Sequence, residues 1–264
     1  MFEKVFYGLF GIVTAKAVGK KKFRIKNKLV SLDSTVIDLC LSMYDWAKFR
    51  RTKGAVKLHL VLDHDGYLPC FGLITDGKVH DVKAAHQMHF APGTIVVDDR
   101  GHNDYRLFAK WTDGGVFFVT RMKDNALFEV VEERAVPKNR NILEDQTIRL
   151  TGTGADEKCP HLLRRVEAVR EDTGGILVFL NNHHGLGAST IAAIYKDRWQ
   201  IELFFKALKQ NLKIKTFVGT QAFAVKTQIW TALISMLLLR YLQLSSRIAW
   251  SLANLVALLR MNLF

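Results

Sequence analysis

Four residues, Tyr195, Arg198, Glu202 and Lys209, lie in a stretch from Ser189 to Leu212 whose apolar residues recur at helical spacing. At about 100° per residue they fall within roughly 60° of one another. Ile194, Ile201, Phe205, Leu208 and Leu212 form an adjacent apolar stripe. A helix here would bury the stripe and present beside it a carboxylate flanked by cations and a phenol. Read alone, Arg198 four residues before Glu202 is most simply an intrahelical ion pair. Other carboxylates follow apolar, strand-like runs: Asp33 after Lys28–Leu32, and Asp98 with Asp99 after Thr94–Val97. Taken singly, each of these is ordinarily a strand-end turn or a cap.

The elements that must position these groups follow from periodicity. Lys28–Ser34 reads as a short strand ending at Asp33. Ala55–Asp63 alternates Val56, Leu58, Leu60 and Leu62 on one face, and His64-Asp65-Gly66 turns it into a second strand, Tyr67–Thr75, as a hairpin. Asp81–His89 has helical spacing, Thr94–Asp99 is a buried-strand pattern, Asn103–Trp111 a helix and Gly115–Thr120 another buried strand. Leu127–Val131, Thr147–Thr151, Leu162–Val169 and Ile176–Leu180 are strand-like runs separated by Pro, Gly, Asn and Asp. They make residues 125–181 a β-rich insertion. From Ser189, the expected N-cap, the pattern is helical through Leu212. Apolar helices near 221–244 and 247–262 follow. Strands, a β-rich excursion, then helices predict a mixed α/β core interrupted by a β module.

Tyr-x2-Arg-x3-Glu-x6-Lys, spanning Tyr195 to Lys209, resembles the signature of the insertion sequence 4 family of DDE transposases. Leu32-Asp33-Ser34-Thr35 resembles the family's first-aspartate strand. Val97-Asp98-Asp99-Arg100-Gly101 resembles its second, in which the aspartate directly before Arg-Gly is the catalytic one. Trp46-Ala-Lys-Phe-Arg50 and Lys53-Gly-Ala-Val-Lys57-Leu-His59 are also family-like, and the resemblance runs from about residue 28 to the end. It implies an RNase H-like α/β fold: a mixed-sheet core with a β-rich insertion and C-terminal helices. The chain then divides into a lead-in (1–27), the first part of the core (28–124), the insertion (125–181), and the catalytic and C-terminal helices (182–264).

The implied activity is metal-dependent DNA strand cleavage and strand transfer in transposition of an insertion sequence. Asp33, Asp99 and Glu202 would be catalytic and would ligate two Mg²⁺ ions, for which Mn²⁺ can substitute. Asp33 would bridge both ions, Asp99 bind one and Glu202 the other. Arg198 and Lys209 would neutralise phosphates beside the scissile bond, and Tyr195 would hydrogen-bond or stack on the DNA. The implied partners are double-stranded DNA, as transposon ends and target, and a second copy of the chain in a homodimer. The implied location is the bacterial cytoplasm, at the nucleoid. The competing expectation is a truncated remnant that binds DNA by charge without turnover.

Composition agrees with a polyanionic partner: 38 Lys and Arg against 25 Asp and Glu give a net charge of +13 over 264 residues. Basic runs at 20–28 and 48–57 suit a DNA backbone, or are solvated faces. Cys40, Cys70 and Cys159 are odd in number and far apart, so reduced thiols are expected. Ile229–Leu239 is too short an apolar run to span a bilayer, and no membrane residence is expected. Val5–Val13 before Ala15-Lys16-Ala17 imitates a signal peptide but lacks its positive lead, so residues 1–19 read as a packed segment. His183-His184 precedes Gly-Leu-Gly and reads as a loop or helix lead-in rather than a metal site. His102 stands where relatives usually carry Tyr, which favours packing, and Trp230 and Trp250 read as core. Family proteins usually have a further DNA-end-binding region before the first aspartate and a tryptophan in the insertion that stacks a flipped base. Residues 1–19 do not resemble that region, and a dimerisation segment would follow Phe264. The insertion has no Trp, Phe128 being the available substitute.

Overall fold

In the computed structural model, residues 1–17, 22–40, 42–50, 53–138, 141–211, 217–246 and 250–263 are described. Lys20 and Lys21 of the first basic run, Arg51 and Thr52 of the second, Leu212 of the apolar stripe and the terminal Phe264 lie outside them. The fold is mixed α/β, with a large mixed sheet and helices, as the element order predicted. Backbone contacts divide it into two compact units: residues 1–25, 33–79 and 200–264, and residues 26–32 and 80–199.

The first unit holds α1 (Phe2–Ala17), most of β1 (Leu29–Leu39), β2 (Lys48–Arg50), β3 (Lys53–Asp63) and β4 (Leu68–Asp76). β3 pairs antiparallel with β4 through a bulge at Val61/Leu62. The turn between them needs Gly66 at φ +80°, where an added Cβ would come within 2.9 Å of the Ala17 Cβ. β1 does not stop at Asp33. Leu29–Leu32 are buried on both faces, and from Thr35 burial alternates, with Thr35, Ile37 and Leu39 inward. The alternation keeps one face in the core, so the strand continues past the polar Asp33-Ser34 pair.

The second unit holds the start of β1, α2 (Asp81–Gln87), β5 (Ile95–Val97), α3 (Tyr105–Asp113), β6 (Phe117–Arg121), β7 (Phe128–Glu133), β8 (Ile142–Leu150), α4 (Ala155–Lys158), β9 (Leu163–Val169), β10 (Ile176–Asn181) and α5 (Ala188–Asp197). Leu29–Ser31 of β1, β5 and β6 run parallel. The β-rich region joins them through β10, antiparallel to β6, and continues antiparallel through β9 and β8 to β7.

In the first unit, α6 (Trp199–Asn211), α7 (Ala222–Ser245) and α8 (Leu252–Leu263) complete the chain. Phe6, Leu58, Leu60, Ile201, Leu208, Ile229, Leu233 and Met236 are fully buried in one cluster. Each such side chain contributes about 1.5–3 kcal/mol. Phe6 meets Trp230 at a ring separation of 5.2 Å, so α1 is the packed segment expected and Trp230 is core. By length and composition α7 could cross a bilayer, yet its Val225, Ile229, Leu233, Met236 and Leu237 are buried, and it packs on α1 and β4.

The predicted continuous helix over 189–212 is two. Arg198 closes α5 as its C-cap, with helical φ −51° and ψ −30°, and α6 starts at Trp199. Gly187, not Ser189, is the N-cap, and no side chain caps it.

Candidate functional site

In the second unit, β5 ends at Val97 and delivers two consecutive carboxylates. The Asp98 amide donates to the Val119 carbonyl at 3.1 Å, which ties the strand end to β6. A 3-10 turn, Arg100–His102, follows at once, with Asp99 as its N-cap. Asp99 Oδ1 accepts from the Gly101 amide at 2.9 Å and from His102 Nδ1 at 3.1 Å. The Thr120 hydroxyl faces the Asp99 carbonyl at 3.2 Å and Asn103 Oδ1 at 2.9 Å, so the turn is held to β6 a second time.

The two carboxylates have opposite environments. Asp98 is fully buried, and among the described residues neither of its oxygens meets a donor in hydrogen-bonding geometry. Burial pushes it up to about 7, against the pull of the nearby His102 and the Thr120 hydroxyl. Asp99 keeps 43% of its side chain exposed. Burial alone would raise it, but the His102 hydrogen bond and charge, the Gly101 amide and the Arg198 guanidinium outweigh that and hold it below the ordinary carboxylate value. His102 is buried, as packing predicts. It also makes a polar contact that the packing expectation missed, and its Asp99 bond with the Asp98 and Asp99 charges raises it despite burial. The only sequence signal was its spacing three residues after Asp99.

Tyr195 and Arg198 come to the same carboxylates from α5. The Arg198 guanidinium lies 5.6 Å from the Tyr195 ring centroid and acts electrostatically on both Asp98 and Asp99. Tyr195 also packs on Phe179 of β10 at 4.9 Å. Burial raises its phenol, opposed by Arg198 and Arg121. Arg198 thus acts on the two carboxylates at the end of β5, which its spacing to Glu202 did not announce.

The loop before α5 is fastened from the β-rich region. Buried Arg164 pairs with Asp145, Nε to Oδ1 at 2.7 Å and Nη2 to Oδ2 at 2.6 Å, and its Nη1 donates to the His183 and Leu186 carbonyls. His183 Nδ1 accepts from the Gly185 and Leu186 amides at 3.2 and 3.1 Å, the helix lead-in that the sequence suggested. Phe128 faces the Arg165 guanidinium at 5.4 Å.

In the first unit, Asp33 is partly exposed within β1, its Oδ1 accepting from the Ser34 amide at 2.7 Å. Glu202 stands in the first turn of α6, partly exposed beside buried Ile201, Phe204 and Phe205. Two turns on, Lys209 Nζ donates to the Val36 carbonyl at 2.9 Å, docking α6 on the strand that carries Asp33. Trp46 Nε1 donates to the Thr220 carbonyl at 2.8 Å. None of the three cysteines is disulfide-bonded among the described residues.

Among the described residues no three His, Cys, Asp or Glu side chains are grouped closely enough to hold a metal ion. Asp33 and Glu202 belong to the first unit and Asp99 to the second. As donors the carboxylates suit a hard divalent cation: Asp99 is held ionised, with both of its hydrogen bonds on Oδ1.

A family model described as "Transposase DDE domain" matches residues 25–238. The chain is 34% identical over 240 residues to "Putative transposase y4zB" of Sinorhizobium fredii, covering 89% of this chain and 67% of that one. It is 28% identical over 224 residues to "Probable transposase for insertion sequence element IS5377" of Geobacillus stearothermophilus, covering 84% and 59%. Similarity to "Putative transposase for insertion sequence element IS4SA" of Synechocystis is 25% over 250 residues, covering 92% and 67%. Among solved structures, a piggyBac transposase synaptic complex with hairpin DNA aligns with a TM-score of 0.49 and 12% identity, over 89% of this chain and 52% of that one. The chain thus spans about two thirds or less of the length of these proteins.

Proposed function

The chain belongs to the DDE transposase family, and from that premise we propose that it is the RNase H-like catalytic part of an insertion-sequence transposase, cleaving and joining DNA strands with divalent metal. Asp33, Asp99 and Glu202 are the ligands in this reading, for Mg²⁺ or Mn²⁺. The chemistry that two such ions supply when bound is activation of a water or 3′-hydroxyl and stabilisation of the leaving oxygen. The chain's own residues do the rest. Asp99 is kept ionised by His102, Gly101 and Arg198, and so is ready to bind a cation at neutral pH. Arg198 and Lys209 hold phosphates beside the scissile bond, and Tyr195 bears on the sugar or base. Residues 125–181 act as the insertion. The partners are transposon-end and target duplexes and a second copy of the chain, in the bacterial cytoplasm.

The observation that supports this most is the joint environment of Asp99: an ionised, part-exposed carboxylate with Arg198 and Tyr195 acting on it from α5. A solvated surface aspartate needs no such neighbours.

The test is Mg²⁺- or Mn²⁺-dependent cleavage and joining of duplexes carrying the element's own ends, with Glu202→Gln as control. Activity lost in Glu202→Gln while DNA binding persists supports the reading. DNA binding with no metal-dependent cleavage in either protein overturns it in favour of a non-catalytic remnant.

A further inference from the structure

His102 is buried, yet its ring does more than fill space. Nδ1 lies 3.1 Å from Asp99 Oδ1, a carboxylate oxygen that accepts, so the nitrogen is the donor. The same oxygen accepts from the Gly101 amide at 2.9 Å. Two donors from one 3-10 turn therefore converge on one carboxylate oxygen and fix the rotation of the group. The imidazole cannot swing away. It is 1% exposed. A tyrosine here would fill space without offering a ring N–H at this position.

We propose that His102 is a positioning residue for Asp99, donating from Nδ1 to Oδ1 so that Oδ2 is the oxygen presented to a divalent cation. This inference rests on the reading of Asp99 as a metal ligand given above. Residues that orient a ligating carboxylate typically change metal affinity 10–100-fold when replaced.

The test measures Mn²⁺ binding to the duplex-bound protein, by the electron paramagnetic resonance signal of free Mn²⁺, alongside thermal unfolding of each variant. His102→Phe keeps an aromatic ring and removes the donor; binding should weaken about 10–100-fold. His102→Asn carries an amide N–H where Nδ1 stood and should recover most of that loss. His102→Gln, whose amide reaches the place of Nε2, should not. Unchanged binding in His102→Phe overturns the inference, as does equal impairment of the Asn and Gln variants. If His102→Phe does not fold, the Asn-over-Gln order decides alone. A wild-type protein that binds no Mn²⁺ removes the metal reading of Asp99 and this inference together. Binding by wild type that His102→Phe retains removes only the inference.

Discussion

Arg164 and Asp145 meet as a bidentate pair with both side chains less than 5% exposed. Arg134 adds a second guanidinium, Nε to Asp145 Oδ1 at 3.5 Å, while its Nη2 donates to the His184 carbonyl. The pair joins β8 and β9 to the loop that feeds α5, and so sets where Tyr195 and Arg198 stand. Removing one member leaves a buried charge without compensation. Asp145→Ala should lower unfolding stability by about 3–5 kcal/mol in urea titrations, whereas Arg164→Met with Asp145→Leu should cost less than either single change. A double variant as unstable as the sum of the singles would contradict this.

His183 should make the same loop pH-sensitive. Burial, then the neighbouring Arg164 and His184 charges, hold its imidazole below the ordinary value, and Nδ1 is already occupied as an acceptor of two amides. The unfolded chain therefore takes up the proton more readily than the folded one. Stability is complete above about pH 6.5 and is lost as pH falls through the unfolded value toward the folded one. Amide exchange at Gly185 and Leu186 should accelerate as pH falls below about 6.5. The acceleration, beyond the intrinsic pH effect on exchange, should be absent in His183→Asn.

A side chain at Gly101 would crowd the Asp99 carboxylate. A Cβ there would sit 3.0 Å from Asp99 Oδ1. Gly101→Ala should displace the carboxylate by a few tenths of an ångström and slow single-turnover cleavage about 10–100-fold. The melting temperature should move only slightly. Wild-type rates in this variant would mean that the orientation of Asp99 is not critical.

Lys209 has two tasks in this account, and they separate experimentally. Its ammonium donates to the Val36 carbonyl. Lys209→Met should cost about 1 kcal/mol of stability from the lost bond. If the residue also meets a phosphate, the slope of log affinity against log salt should fall by about 0.9. An unchanged slope would confine Lys209 to docking α6.

Much of this architecture is legible in the chain. The hairpin of β3 and β4, the buried strands β5 and β6, the strands of the β-rich region and the two apolar C-terminal helices follow from period and turn residues. Three features were not. β1 outruns Asp33 because Thr35, Ile37 and Leu39 keep one face buried, a pattern hidden by the polar pair before it. The break at Arg198 has no Gly or Pro to announce it, and the residue keeps helical angles. Asp145 and Arg164 are 19 residues apart on neighbouring strands, so only the register of β8 against β9 brings them together. At the site, the residue types of Asp99, Tyr195 and Arg198 carried the expectation. The dependence of Asp99 on His102 needed the 3-10 turn to be seen.

The most direct measurement is single-turnover cleavage of an end-bearing duplex in Mn²⁺ by Asp33→Asn, Asp99→Asn and Glu202→Gln, each against wild type at matched DNA occupancy. Each change preserves size and removes a ligand charge. All three should abolish cleavage while DNA affinity stays within a few-fold of wild type. Cleavage that survives any one of them would contradict the assignment of that carboxylate, and survival in all three would contradict the metal-dependent reading of the chain.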